Sequence, residues 1–168
     1  MLETLILYSL LERNLTTYGI RKHILQDFSF FANPSLGAIH PAILKLIKKN
    51  YISVTKNITD GGQKSLFHTL LPEGKKYFYK NWAEISSSVA QKISTEIKMK
   101  IIMLPAIKSE EAKASFYTNA ANILEILEYD IKNKMKENTC GYFQTSASLF
   151  YKEISGLRDT IEKLKKEN

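Results

Sequence analysis

Apolar residues recur along this chain at spacings that mark a succession of helices. Leu2, Leu5, Ile6, Leu7, Leu10 and Leu11 make the first segment apolar on most of its circumference, so it is expected to be buried on more than one side. Asn14 and Leu15 break the pattern, and Thr16 or Thr17 stands where a hydroxyl can accept an orphan N–H of the next helix. That helix is expected from Tyr18 to Phe28, with Ile20, Ile24 and Phe28 on one stripe. Gly19 weakens a helix near its start and suggests two backbones packing closely there. The aromatic stretch Phe28 to Asn33 is irregular, and Asn33-Pro34 signals a turn.

The segment from Pro34 to Leu71 organises the front of the molecule. Ile39, Ile43 and Leu46 fall at i, i+4 and i+7, so one helical stripe faces a core while Lys45, Lys48 and Lys49 form a basic side. Pro41 lacks an N–H and clashes with the preceding turn, so the helix either begins a few residues earlier or bends. Either way, Ser35 to His40 form an exposed N-terminal end. Asn50 suits a left-handed helix ending, and Tyr51-Ile52-Ser53-Val54-Thr55 has strand character. Asp60, Gly61 and Gly62 supply the positive φ angles of a hairpin turn, and Lys64 to Leu70 is the returning strand. This order of helices and hairpin is that of a winged helix-turn-helix.

Pro72 opens a further helix in its first turn. Lys75 to Leu104 reads as almost unbroken helix, with Ile85, Val89, Ile93, Ile97 and Ile101 every fourth residue until Pro105. Ser109 caps the next helix, with Glu110 and Glu111 well placed in its first turn; its stripe is Phe116, Ala120, Ile123, Leu127 and Ile131. In the last helix Phe143, Ala147, Phe150, Ile154, Leu157, Ile161 and Leu164 alternate steps of four and three, a coiled-coil seam. The fold expected is mainly α with a small β-hairpin wing: a winged helix-turn-helix over residues 1–82 and an all-helical domain over 83–168.

Charge sharpens this division. Of a net +7, residues 1–82 account for 11 Lys and Arg against 5 Asp and Glu, the footprint expected for a polyanion partner. No run of 18 apolar residues is present, so no membrane span is expected, and the first residues lack the basic region of a secretory signal. The one cysteine, Cys140, suits a reducing cytoplasm and reads as an ordinary surface residue. His23, His40 and His68 show no metal-ligand spacing, and neither a phosphate-cradling glycine loop nor a nucleophile elbow occurs. No enzyme activity, metal or cofactor is expected.

The motifs within residues 2–80 resemble those of the PadR-like family of transcriptional regulators. Thr17-Tyr18-Gly19-Ile20 follows the first apolar helix as in that family, and Ser35-Leu36-Gly37-Ala38-Ile39-His40-Pro41-Ala42-Ile43 resembles its recognition-helix motif. Tyr51-Ile52 matches the entry to the wing, and Leu70-Leu71-Pro72-Glu73-Gly74 the exit from it. Residues 83–168 have the length and helical content of the C-terminal domain in the longer, AphA-like subfamily. The chain departs from the family at His40, where tyrosine is usual, at Leu44 and Ile47, where lysine and glutamate are frequent, and in a wing poor in arginine.

The resemblance implies a cytoplasmic homodimer that binds double-stranded DNA at a pseudo-palindromic operator, usually as a repressor, and responds to a small hydrophobic or aromatic effector. Under that reading Ser35 and His40 meet base edges or phosphates, and Gly37 and Ala38 permit close approach. Lys45 and Lys49 hold phosphates, Lys64 reaches DNA from the wing, and Thr17 and Tyr18 pack against it. Phe143, Phe150, Ile154, Leu157, Ile161 and Leu164 carry dimerisation. Trp82, between the two halves, is weighed as an aromatic closing the core and, alternatively, as a platform for a flat effector. The competing reading is a winged-helix interaction module with weak or no specific DNA binding, in which the last helix docks a partner protein.

Overall fold

The computed structural model describes residues 1–58 and 64–167. The chain forms α1 (Leu2–Ser9), α2 (Thr17–Phe28), α3 (Leu36–Lys48), β1 (Ile52–Ile58), β2 (Lys64–Leu70), α4 (Pro72–Ala83), α5 (Ala90–Met103), a 3₁₀ turn (Leu104–Ala106), α6 (Glu110–Glu137) and α7 (Gly141–Glu167). It is mainly α with one antiparallel hairpin, and its front is a winged helix-turn-helix. Two compact units emerge: Met1–Trp82 with Met99–Lys108, and Ala83–Lys98 with Ser109–Asn168. Met99–Lys108, which the sequence reading puts with the rear of the chain, is thus grouped with the front, where Lys100 Nζ donates to the Asn81 carbonyl at 3.4 Å.

In the front unit α1, α2 and α3 pack on one another. Leu5, Ile6 and Leu7 of α1 meet the expected stripes Ile20, Ile24 and Phe28 of α2 and Ile39, Ile43 and Leu46 of α3, all fully buried or nearly so. The capping residue of α2 is Thr16, whose hydroxyl accepts the Gly19 N–H at 3.1 Å. β1 and β2 pair with Ile52 opposite Leu70 and Val54 opposite His68. The expected turn residues Asp60, Gly61 and Gly62 lie outside the described residues. Leu15 and His68 form an isolated backbone bridge that ties the wing to the approach of α2.

Two glycines correct the sequence reading. A Cβ on Gly19 would meet Leu15 and Thr16 side chains at 3.4 Å, so no second backbone presses there. The close approach is at Gly74, where a Cβ would collide with the Tyr51 carbonyl oxygen.

The expected single helix from Lys75 to Leu104 is two. Glu84 to Val89, with Ser86-Ser87-Ser88 among them, lie outside both helices. Serines compete for backbone hydrogen bonds and favour such breaks. Here the N–H and hydroxyl groups of Ser86 and Ser87 all donate to the buried Glu96 carboxylate, at 2.7–3.4 Å. Val89, expected in the stripe, is 53% exposed as a result, whereas Ile93 and Ile97 are buried.

α6 and α7 form a helical hairpin. Ser109 caps α6 as expected, its Oγ accepting the Ala112 N–H at 3.2 Å. The buried stripe of α6 runs through Phe116, Ala120, Leu124, Glu128 and Ile131, and Ile123 and Leu127 are only half-buried. A carboxylate inside the stripe hides it from a hydrophobicity pattern; Glu128 is buried because Arg158 of α7 pairs with it at 3.3 Å.

Candidate nucleic-acid interface

α3 is fixed at both ends by its own sequence. Ser35 is the N-cap, its hydroxyl accepting the Ala38 N–H at 3.2 Å. At the other end Asn50 has φ 57°, with the Tyr51 N–H donating to the Leu46 carbonyl and the Asn50 N–H to that of Ile47. This double closure bears out the left-handed ending expected of Asn50. The helix begins at Leu36, five residues before Pro41. Arg21 of α2 donates from Nε to the Pro34 carbonyl at 3.1 Å and holds the turn ahead of α3.

The N-terminal end of α3 is open to solvent. Ser35, Leu36, Gly37, Ala38, His40 and Pro41 are all exposed. Successive residues turn by about 100° around a helix, so the face opposite Ile39, Ile43 and Leu46 is built by Gly37, Pro41, Leu44 and Lys48, with His40 beside them. The sequence reading favours Lys45 and Lys49 over Lys48 for holding phosphates. The wheel drawn from the three core positions instead puts Lys48 at the centre of the outward face, and that signal is present in the sequence.

Lys45 and Lys49 sit on the flank towards α1. Lys45 Nζ is 2.6 Å from a Glu3 carboxylate oxygen, and Lys49 is 3.9 Å from the other. Tyr77 donates its hydroxyl to Glu3 at 3.3 Å, its ring stacks on Tyr51 at 4.3 Å, and Lys49 lies over both rings. Burial acts to raise the pKa of Glu3, but the hydrogen bond and charge of Lys45 and the charge of Lys49 outweigh it and hold the carboxyl below its ordinary 4.5. The hydrogen bond to Glu3 in turn raises the pKa of Lys45. Sequence reasoning misses Glu3, because nothing local links it to α3.

Thr17 and Tyr18 part company. Tyr18 is 64% exposed at the start of α2. The Thr17 hydroxyl is engaged inward, 3.0 Å from Nε2 of His68 on β2, and so anchors the wing to α2. His68 is buried; desolvation first, and then the nearby His40, lower its pKa from 6.5 and keep the ring neutral. Lys64 is exposed at the start of β2, and Lys56 is exposed on β1.

The rear unit treats the expected seam unevenly. Ile154, Leu157 and Ile161 are buried within the single chain, and Phe143, Phe150 and Leu164 are half-buried. A charge at Leu157 would therefore disturb the chain's own core. The exposed large apolar residues of this helical hairpin are Ile126 and Tyr129 on α6 and Tyr142 and Leu149 on α7. A groove of about 560 Å³ opens between Leu127, Ile131, Phe143 and Phe150, with Asp130 and Lys134 also lining it. Trp82 is fully buried, with no ring face at the surface. Cys140 is exposed. Among the described residues no group of three or more His, Cys, Asp or Glu is placed to hold a metal, and no helix is long and apolar enough to cross a membrane.

No family model matches the chain, and no curated protein matches it in sequence. Solved structures do match. Bacillus subtilis PadR in complex with operator DNA is 15% identical over 97% of this chain and 96% of that one, with a TM-score of 0.48. The same protein in complex with p-coumaric acid is 16% identical over 97% and 95%, with a TM-score of 0.43. A PadR-like transcriptional regulator from Bacillus cereus is 17% identical over 99% and 97%, with a TM-score of 0.41. The chain resembles PadR-type regulators. Of the positions at which the chain departs from the PadR motif, His40 and Leu44 are exposed, and Ile47 is half-buried on the flank of α3.

Proposed function

We propose that this chain is a DNA-binding transcriptional regulator that acts as a homodimer and represses by occupying a pseudo-palindromic operator. The observation that carries the reading is the open N-terminal end of α3, capped by Ser35 and held by a packed three-helix core, with Lys48 on the same outward face at the helix's far end. Such an end offers N–H groups and partial positive charge to a phosphate while the helix lies in the major groove. Lys56 and Lys64 extend the basic surface along the wing. Two copies related by a two-fold axis present two α3 helices, which matches half-sites spaced by whole turns of DNA. The exposed Ile126, Tyr129, Tyr142 and Leu149 are the apolar surface available for such pairing. A small hydrophobic or aromatic effector would sit in the rear groove and act by favouring one dimer arrangement over the other.

Selection of bound duplexes from a random pool tests this reading, with a pseudo-palindromic consensus expected. In the selected complex Lys48→Ala should lower the salt slope by about 0.9 for each phosphate that the lysine neutralises. Lys45→Ala should change it less, because its ammonium already pairs with Glu3. A second reading, the winged-helix interaction module whose last helix docks a partner protein, is favoured by the exposed Leu44 in place of a cation on α3 and by the exposed Tyr142 and Leu149 on α7. It predicts little retention of any duplex at any salt.

A further inference from the structure

The outward face of α3 is chemically unusual for a helix that reads DNA. The helix runs Leu36-Gly37-Ala38-Ile39-His40-Pro41-Ala42-Ile43-Leu44-Lys45-Leu46-Ile47-Lys48 and contains no Arg, Asn, Gln, Asp or Glu. Those side chains, with Lys, Ser and Thr, are the ones that pair with base edges through directed hydrogen bonds, and here only Ser35 at the cap and the lysines of the C-terminal half remain. On its exposed face His40 alone has a ring that can donate or accept at a base edge, and Lys48 lies a full helix away from the N-terminal end. What the face does present is hydrocarbon. Leu44 is 52% exposed, and Pro41, three residues before it on the same face, is exposed as well.

Gly37 adds a second, independent observation. Glycine in a helix is unfavourable by about 1 kcal/mol relative to alanine. A Cβ built on Gly37 would meet nothing closer than Ser35 Oγ at 3.7 Å, an ordinary contact. The fold therefore does not require a glycine here; the space beside it is open to an outside molecule. Charge specifies what kind. Lys45, Lys48 and Lys49 stand at the C-terminal end of α3, with Glu3 the carboxylate facing the first and last of them, and the exposed Lys56 and Lys64 lie on the wing. A polyanion fits that frame better than a second apolar protein surface.

In the major groove the one apolar feature a base offers is the C5 methyl group of thymine. Resting on the DNA-binding reading above, we propose that Leu44, with Pro41 beside it, reads thymine methyl groups, and that Gly37 lets the helix backbone come close enough for that contact. The half-site is then recognised largely by methyl contacts, with Ser35 and His40 as the polar groups at the helix end.

The test uses the full-length protein and its selected operator. Each thymine of one half-site is replaced in turn by deoxyuridine, which removes the methyl and keeps the hydrogen-bonding edge. Burying one methyl-sized group corresponds to about a fourfold change in affinity, so one or two positions should weaken about fourfold and flanking thymines should not. Leu44→Ala, at an exposed position, should bind the thymine operator more weakly and lose the thymine–uracil difference. A sequence-specific complex with equal affinity for every thymine and uracil version overturns methyl reading and leaves the regulator reading intact. A difference that survives in Leu44→Ala overturns the assignment to that side chain. No binding to any duplex, even at low salt, overturns both.

Discussion

Three helices of the front unit carry a glycine in the first turn, Gly19 in α2, Gly37 in α3 and Gly74 in α4, and the last two do opposite things. At the start of α4, Gly74 lies directly against the Tyr51 carbonyl, which closes the end of α3 and enters the wing. At the start of α3, Gly37 faces open space, with only its own capping serine near. The same residue type at nearly the same helical position is dictated by packing in one region and left without a structural reason in the other. Gly141 and Gly156 of α7 also meet nothing within 4 Å, so an open glycine alone does not mark an interface; at Gly37 it coincides with the exposed, capped end of α3.

The largest expected effect is on the scaffold side. Gly74→Ala forces a methyl into backbone, and overpacking at a site that cannot yield should cost about 3 kcal/mol. Thermal or denaturant unfolding should show it, and operator binding should fall only in step with the folded fraction. A variant with unchanged stability would mean that α4 can shift away from Tyr51, and the contrast with Gly37 would collapse.

The buried pair of the rear unit comes next. Arg158→Met leaves the Glu128 carboxylate, 5% exposed, without its cation. One-sided loss of a buried pair is strongly destabilising, but Arg158 is itself about a third exposed, so the cost should be nearer 2 kcal/mol than the full buried value. Replacing both, Glu128→Met with Arg158→Met, should recover most of that loss. Equal losses in the single and double variants would show that the pair sets the register of α6 against α7.

How much of this is legible in the sequence follows from the range of the interactions involved. Ser35, Asn50 and Ser109 act on backbone within five residues, and each closes the helix end that its local pattern marks. The break at Ser86 to Ser88 needs Glu96, a turn into the following helix, and an apolar stripe with period four conceals it. The α6 stripe escapes a hydrophobicity pattern because its fourth member is Glu128, whose partner lies 30 residues on. At the interface, the open end of α3 is visible in its periodicity. The pairing of Lys45 with Glu3 and of Thr17 with His68 joins residues 42 and 51 apart, which no local pattern records.

A smaller effect concerns the wing. His68 and His23 both have their pKa lowered, in each case first by burial. A base whose folded pKa lies below its unfolded 6.5 contributes stability that is complete above that value and is lost as pH falls from it towards the folded value, because the unfolded chain then binds more protons. Stability should therefore decline with acidification below about pH 6.5. His68→Gln keeps an amide to meet Thr17 and removes the titration. It should be less stable at pH 8 by about 1 kcal/mol and lose less on acidification, with His23 sustaining a residual slope. An unaltered pH profile would mean that burial does not hold the His68 ring neutral.

The smallest change in stability, and the one that most sharpens the contrast, is expected at Gly37. Gly37→Ala adds a methyl to open space and removes backbone freedom from the unfolded chain, so the protein should become more stable by about 0.5 kcal/mol. If the helix backbone approaches the floor of the groove, that same methyl stands between protein and bases. Operator affinity should then drop about tenfold, the equivalent of 1.4 kcal/mol, while binding to random duplex at low salt changes little, since phosphates are reached from Lys48 and the wing. The signature is opposite signs: a gain in folding and a loss in specific binding from one added carbon. Gly74→Ala cannot produce that pattern, because there both quantities fall together. If Gly37→Ala gains stability and binds its operator unchanged, the open space beside the helix is simply solvent, and the interface lies further along α3 towards Leu44 and Lys48.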